Sequence, residues 1–282
     1  MSESNATPDA VVDQARDYYD SDDADNFYYH VWGGEDIHVG LYESVEEPIL
    51  TASHRTVEHM ARRLEAWPAG TRVLDIGAGY GGVGRFLART RGHHVTSLNL
   101  STVQNRRNRE RNAAAGLEEQ VEVVDGSFED LPMADKSFDV VWSQDALLHS
   151  GRRQQVFAEV NRVLRPGGEF IFTDPMQVEG VDPEILEPVL ARIHLASMGS
   201  IPTYRNYAKE LGWTEVMIED LSPQLPNHYG RVREVLVERD ADLRKVCSAE
   251  YLERMRVGLS HWVKAGREGA LAWGVLHFRK PA

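Results

Sequence analysis

The run from Val73 to Gly84, Val-Leu-Asp-Ile-Gly-Ala-Gly-Tyr-Gly-Gly-Val-Gly, narrows what this chain can fold into more than any other stretch. Val73, Leu74 and Ile76 read as the end of a buried strand, the glycines as a sharp turn, and Arg85-Phe86-Leu87-Ala88 as the helix that follows. Such a turn lets a ligand approach the backbone where a side chain would block it, and the unpaired amides at the helix start favour a polar or anionic group. Gly77, Gly79 and Gly82 also satisfy the dinucleotide pattern G-x-G-x-x-G, so the turn by itself leaves a nicotinamide cofactor open. Two residues lean against it. Asp75 stands where it can hold a cationic amino group near the turn, and Asn99 ends the second expected strand, where a nicotinamide fold usually places an acid for the ribose.

Strands and helices alternate downstream. Strands are expected over Arg72 to Ile76, His94 to Leu100, Val121 to Asp125, Phe138 to Ser143 and Glu169 to Asp174, with helical segments over Gly82 to Thr90, Thr102 to Ala115 and Arg152 to Leu164. Repeated strand-helix-strand units make a mainly parallel α/β sheet, whose ligands bind outside the carboxyl ends of the strands. Asp75, Asn99, Asp125, Ser143-Gln144-Asp145 and Thr173-Asp174 all fall at such ends. Helices are then expected over Pro183 to Met198, Thr203 to Leu211, Arg231 to Lys245 and Glu250 to Ala265, with further strands over Trp213 to Asp220 and Leu271 to Arg279. The helices inserted before the last strand read as a substrate cap.

Ahead of the glycine turn, residues 1–9 are polar and read as a disordered tail, Asp9 to Tyr19 has helical character, and the acidic run Asp20 to Asp25 breaks it. Phe27 to Tyr42 is rich in aromatics without a clean period and reads as a lid over the cofactor, and Pro48 to Leu64 is an amphipathic helix. The expected organisation is a lid over 10–68, a cofactor-binding core over 69–181 and a cap with the last two strands over 182–282, all in one domain.

A formal net charge of -13 over 282 residues argues against nucleic acid and anionic membranes as partners, since phosphate binding needs clustered cations. The acidity fits a solvated surface or adaptation to high salt equally well. Cys247 is the only cysteine, so an intrachain disulfide is impossible and no metal site is expected. There is no signal-peptide pattern and no apolar run approaching the ~20 residues of a membrane span, which makes the cytoplasm the expected compartment.

Asp75-Ile76-Gly77-Ala78-Gly79-Tyr80-Gly81 resembles motif I of the class I S-adenosylmethionine-dependent methyltransferases. Asp125 to Pro132, Phe138 to Val141 and Leu164-Arg165-Pro166-Gly167-Gly168 follow in the order and spacing of that family's later motifs. The resemblance implies a Rossmann-like fold with a seven-stranded sheet and S-adenosyl-L-methionine as cofactor. It implies that Gly77 and Gly79 pass the methionine portion, Asp75 or nearby backbone receives its ammonium, Asn99 bonds a ribose hydroxyl aided by Gln104, Ser127 and Phe128 border the adenine, and Gln144 contacts the methionine portion.

Narrower segments, among them Trp32-Gly33-Gly34-Glu35-Asp36-Ile37-His38-Val39-Gly40-Leu41-Tyr42, Trp142-Ser143-Gln144-Asp145, Leu148-His149-Ser150, Phe172 to Gln177 and His228 to Arg233, resemble the sarcosine/dimethylglycine N-methyltransferases, which make glycine betaine. The expected reaction is methyl transfer to the neutral nitrogen of sarcosine and then dimethylglycine, an in-line displacement needing close approach and a dry site. His149 is the candidate proton acceptor. A carboxylate calls for convergent donors, and Arg231, Arg233 and Tyr229 suit it; growing positive charge on nitrogen calls for aromatic faces, and Tyr28, Trp32 and Trp142 are the candidates. Pro175 and Met176 match a family segment near the acceptor and would shape the methyl pocket. The alternatives are a related methyltransferase on another amine, of phosphoethanolamine type, or on an oxygen or carbon acceptor, and a cofactor-binding protein without turnover. The protein is expected to act as a monomer or homodimer.

Overall fold

The computed structural model describes residues 16–282 apart from 65, 194 and 196. Its strands, in chain order, are β1 (Arg72–Ile76), β2 (His94–Asn99), β3 (Val121–Asp125), β4 (Phe138–Gln144), β5 (Leu164–Thr173), β6 (Met176–Gln177), β7 (Thr214–Asp220), β8 (Leu271–Ala272) and β9 (Gly274–Arg279). Seven of them form one sheet in the order β3-β2-β1-β4-β5-β9-β7, and β6 pairs with β8 apart from it. Neighbours are parallel except for the two pairs made by β9. This is the mainly parallel α/β sheet anticipated from the alternation, in the Rossmann-like, seven-stranded form that the family resemblance implies. Strand order reverses between β1 and β4, so their carboxyl ends flank the crevice where such sheets take ligands.

Alternate residues of the central strands feed two apolar layers, because successive side chains leave a strand on opposite faces. Leu74, Ile76, Val141, Phe170 and Phe172 enter one cluster; Val73, Val140, Trp142 and Ile171 enter the other. The glycine turn sits where β1 ends. Gly77 and Gly81 both have φ 78°, a region costly to any residue with a Cβ, and a Cβ on Gly77 would stand 2.3 Å from that of Ala146.

The N-terminal aromatic segment and the C-terminal helices share one core. Asp20 to Asp25 does more than end the preceding helix: Ser21 caps a new helix, Asp22–Trp32, by accepting the Ala24 N–H at 3.3 Å, and Asp22, Asp23 and Asp25 lie in its first turn, where negative charge opposes the helix dipole. Its Phe27, Tyr28, Val31 and Trp32 pack with Val232, Leu236, Tyr251, Met255 and Leu259 from the helices Gln224–Glu238 and Ala249–Arg267. Acidic residues pin the same segment to the core: Asp25 pairs with Arg107 at 2.5 Å, and Glu35 with Arg85 at 2.8 Å and with Arg111.

Several expected boundaries move. The last strand divides at Trp273, with Leu271–Ala272 turning to pair with β6, and a Cβ on Gly274 would meet the Glu219 carbonyl at 2.0 Å. The helix expected over Pro183 to Met198 ends at Arg192, and the one expected from Arg231 begins at Gln224, carrying Pro226 in its first turn, where a missing N–H costs nothing. The helix expected to run on to Lys245 stops at Glu238 and is followed by a short one, Asp240–Leu243. The tail over 1–9 and most of the helix expected over Asp9 to Tyr19 lie outside the described residues. Among the described residues no helix is long and apolar enough to cross a membrane, and no three metal-binding side chains converge.

Candidate active site

Two cavities lie above the carboxyl edge of the sheet. The outer one holds about 720 Å³ of empty space and is walled by the ends of consecutive strands: Gly77 and Gly79 after β1, Asn99 and Gln104 after β2, Ser127 and Phe128 after β3, and Gln144 at the end of β4. Its polar groups include neutral amides with free donors. Asn99 Nδ2 donates to Gln104 Oε1 at 2.8 Å and Trp142 Nε1 to Gln144 Oε1 at 3.1 Å, which leaves Gln104 Nε2 and Gln144 Nε2 without partners. A buried donor left unpaired costs stability unless a ligand meets it. These amides and the bare turn fit the hydroxyls, carboxylate and ring edges of S-adenosyl-L-methionine.

The inner cavity, about 470 Å³, is assembled from residues far apart in the chain: Tyr28, Trp32, His38 and Val39 from the N-terminal segment, Leu148 and Pro175 from the core, and Arg192, His228, Tyr229 and Trp262 from the C-terminal helices. One wall is aromatic, with ring centroids 5.1 Å apart for Tyr28 and Trp32 and 5.6 Å apart for Tyr19 and Tyr28. His228 has a fixed proton. The Gly40 N–H donates to its Nδ1 at 3.2 Å, so the Tyr42 hydroxyl, 3.0 Å away, must donate there too and the ring's own hydrogen sits on Nε2. Burial, aided by charge at His38 and Arg192, pushes its pKa down to about 3.

Tyr19, Ile37, Asp145 and His149 line both cavities and form the neck between them. Asp145 holds a left-handed backbone, φ 50°, just past β4. Its carboxylate accepts the Val39 N–H at 2.6 Å and Trp273 Nε1 at 2.7 Å, so one side chain ties the N-terminal segment, the core and the last strand together. Burial raises the Asp145 carboxyl above the usual range against the pull of His38 and these donors. His149 Nε2 lies 2.9 Å from the Tyr19 hydroxyl, and burial with the charges of Arg153 and Arg192 pushes its pKa down to about 4, leaving the ring neutral near pH 7. Asp174 sets this turn in place by accepting the Leu148 N–H at 2.9 Å and the Tyr204 hydroxyl at 2.5 Å.

A Methyltransferase domain family model matches residues 74–172, the stretch that carries the outer cavity's strand ends beyond β1. The chain is 54% identical to a sarcosine/dimethylglycine N-methyltransferase of Aphanothece halophytica, covering 97% of this chain and 99% of that one. It is 52% identical to another of that name from Halorhodospira halochloris, over 96% and 98% of the two chains. It belongs to the sarcosine/dimethylglycine N-methyltransferase family. A crystal structure from Galdieria sulphuraria, provisionally named a sarcosine dimethylglycine methyltransferase, superimposes with a TM-score of 0.89 at 46% identity, covering 94% of this chain and 99% of that one.

Within this N-methyltransferase framework, seven of the expected cofactor contacts, Gly77, Gly79, Asn99, Gln104, Ser127, Phe128 and Gln144, line the outer cavity together. Asp75 does not; it is 2% exposed behind the turn, with Oδ2 unpartnered, and burial with the nearby Asp36 pushes its pKa up to about 8. Of the expected acceptor contacts, Tyr28, Trp32, Pro175 and Tyr229 line the inner cavity. Trp142 and Met176 do not, since both are fully buried in the apolar layers of the sheet. Arg231 and Arg233 also lie outside both cavities: Arg231 pairs with Glu234 at 3.2 Å and Glu238 at 3.1 Å along its own helix, and Arg233 is exposed. Sequence reading passed over Tyr19, Asp145, Arg192, His228 as a cavity residue, and Trp262. Asp145 carried a signal in its place at the end of β4, and Tyr19 and His228 in the family-like segments that contain them; Arg192 and Trp262 carried none.

Proposed function

We propose that this protein transfers a methyl group from S-adenosyl-L-methionine to sarcosine, giving dimethylglycine, and to dimethylglycine, giving glycine betaine. The observation that carries the reading is the neck: a cavity shaped for the cofactor opens through Tyr19, Ile37, Asp145 and His149 into a second, aromatic-walled cavity of amino-acid size. The bound cofactor supplies an electrophilic methyl group on a sulfonium.

The protein's own part is placement, exclusion of water and charge. Gln144 and the Gly77–Gly79 turn would hold the methionine portion, Asn99 and Gln104 the ribose, and Ser127 and Phe128 the adenine. Tyr28, Trp32 and Tyr19 would face the nitrogen as it becomes cationic, where each aromatic face is worth ~0.5–2 kcal/mol once water is excluded. Asp145 would add a carboxylate beside that growing charge, in a site dry enough for the attraction to count. His149, held neutral and bonded to Tyr19, would orient that ring and leave the amine to enter as its free base. With the proton already lost in solution, kcat/KM should rise with pH through the neutral range in step with the free-base fraction.

The test is a product-resolved assay by mass spectrometry on the purified protein with S-adenosyl-L-methionine and, separately, glycine, sarcosine, dimethylglycine and phosphoethanolamine. Dimethylglycine and betaine from the two methylated glycines are expected. Methylation of phosphoethanolamine in preference to both, or of none of the four with cofactor bound, would overturn the assignment.

A further inference from the structure

The cationic side chain at the inner cavity is Arg192, at the end of the helix Pro183–Arg192. No carboxylate lies within ion-pair distance of it among the described residues, although most arginines described here have one, and its Nε is shut away from solvent without a hydrogen-bond partner. In the same cavity Trp262 Nε1, on the helix Ala249–Arg267, is equally enclosed and equally unpartnered. The guanidinium carbon stands 5.4 Å from the Tyr229 ring centroid and 5.7 Å from that of Trp262, so two aromatic faces fix its plane. Room for its stem is cut into the facing helix: a Cβ on Gly258 would lie 2.5 Å from Arg192 Cδ and 2.7 Å from Cγ. The enclosed Nε–H of the guanidinium and a buried indole N–H, each lacking an acceptor, leave two desolvated donors for a planar anion to satisfy.

We propose that Arg192 Nε and Trp262 Nε1 form the subsite that takes the acceptor's carboxylate, with Tyr229 beneath the guanidinium and Gly258 leaving the space for it. This rests on the reading of the inner cavity as the acceptor site and deepens it. With the carboxylate held here, the short backbone of an N-methylated glycine directs its nitrogen to the aromatic wall and the neck. The cavity thereby selects amines bearing a carboxylate one carbon away and rejects neutral or phosphorylated ones, whose head groups would leave these donors unpaired or carry the wrong shape.

Binding can be read without turnover. Isothermal titration of dimethylglycine and of glycine betaine into protein saturated with S-adenosylhomocysteine is compared for wild type, Arg192→Met, Arg192→Lys, Trp262→Phe and Gly258→Ala. Affinity for both carboxylates should fall about 10- to 100-fold in Arg192→Met and about 5-fold in Trp262→Phe. It should fall in Gly258→Ala as well, although alanine favours a helix over glycine. Cofactor-product affinity and the unfolding midpoint should stay near wild type, and the preference for dimethylglycine over its uncharged amide should collapse with Arg192. If a folded Arg192→Met protein binds the carboxylates within about 2-fold of wild type, or if wild type binds neither of them, the subsite is wrong. Arg192-dependent binding without methyl transfer would leave the subsite standing and overturn the function instead.

Discussion

The outer and inner cavities share a neck but are built in opposite ways. Apart from Tyr19 and Ile37, the outer one takes its walls from the ends of β1, β2, β3 and β4 and the turns that follow them, so most of its contacts lie a few residues from a strand that the sequence itself announces. The inner one gathers Tyr28, Asp145, Pro175, Arg192, Tyr229 and Trp262 from across the chain, so no single stretch of sequence outlines it. A common chemistry can thus be kept in short local motifs while acceptor choice is left to long-range packing of the added helices. Substitutions should separate accordingly, with outer-wall changes appearing in cofactor affinity, inner-wall changes in acceptor KM, and neck changes in kcat.

The neck should give the largest effect. Asp145→Asn keeps the shape and an acceptor oxygen but removes the charge, and kcat should fall about 100-fold in single-turnover assays while both ligands bind nearly as before. A loss confined to KM would place Asp145 in the inner wall. Next comes Gly77→Ala, whose methyl would collide with Ala146 on a strained backbone. Cofactor affinity by calorimetry should drop about 10- to 100-fold, with little change in acceptor KM at saturating cofactor. Tyr28→Leu, removing one cation-facing ring, should raise acceptor KM about 3- to 30-fold and spare the cofactor. Arg231→Lys should do least, within about 2-fold in every constant, because its partners Glu234 and Glu238 are exposed.

Acid stability sharpens the comparison further. His228 and His149 titrate near 3 and 4 in the folded protein, below the ordinary ~6.5 of the unfolded chain. Between those values the unfolded chain binds protons that the folded one does not, so their contribution is present above about pH 6.5 and lost as pH falls toward 3 to 4. Asp174 and Asp75, raised to about 7 and 8, act with the opposite sign over pH 4 to 8. The clean readout is therefore a difference: the gap in unfolding free energy between wild type and His228→Asn should narrow as pH drops from 7 to 4.5. A constant gap would mean that His228 is not the buried neutral ring described.

What the sequence disclosed follows from the same contrast. Alternating strands and helices, the Gly77–Gly79 turn and the family-like motifs at strand ends locate the sheet, the crevice and seven residues of the outer cavity, because each depends on spacing within a short segment. Arg231 and Arg233 are attractive as anion ligands by residue type alone, but Glu234 and Glu238, one and two turns further along the same helix, take up Arg231, and Arg233 faces solvent. Arg192 could not be singled out, since its role depends on Gly258 and Trp262, which lie far along the chain. Trp142 and Met176 illustrate the other failure. Both sit next to site residues in sequence, yet Trp142, on the same face of β4 as Gln144, is fully buried in the apolar layer and touches the cavity wall only by donating its Nε1–H to Gln144 Oε1.

The central claim, two sites meeting at one neck, is tested most directly by a crystal structure of the protein with S-adenosylhomocysteine and dimethylglycine bound together. The expected result has the nucleoside product against Gly77, Gln104 and Phe128, the amino acid in the inner cavity with its carboxylate toward Arg192 and Trp262, and its nitrogen at Asp145 and Tyr19, facing the sulfur. Dimethylglycine bound outside the inner cavity, or seated there with its nitrogen turned away from the neck, would contradict the account.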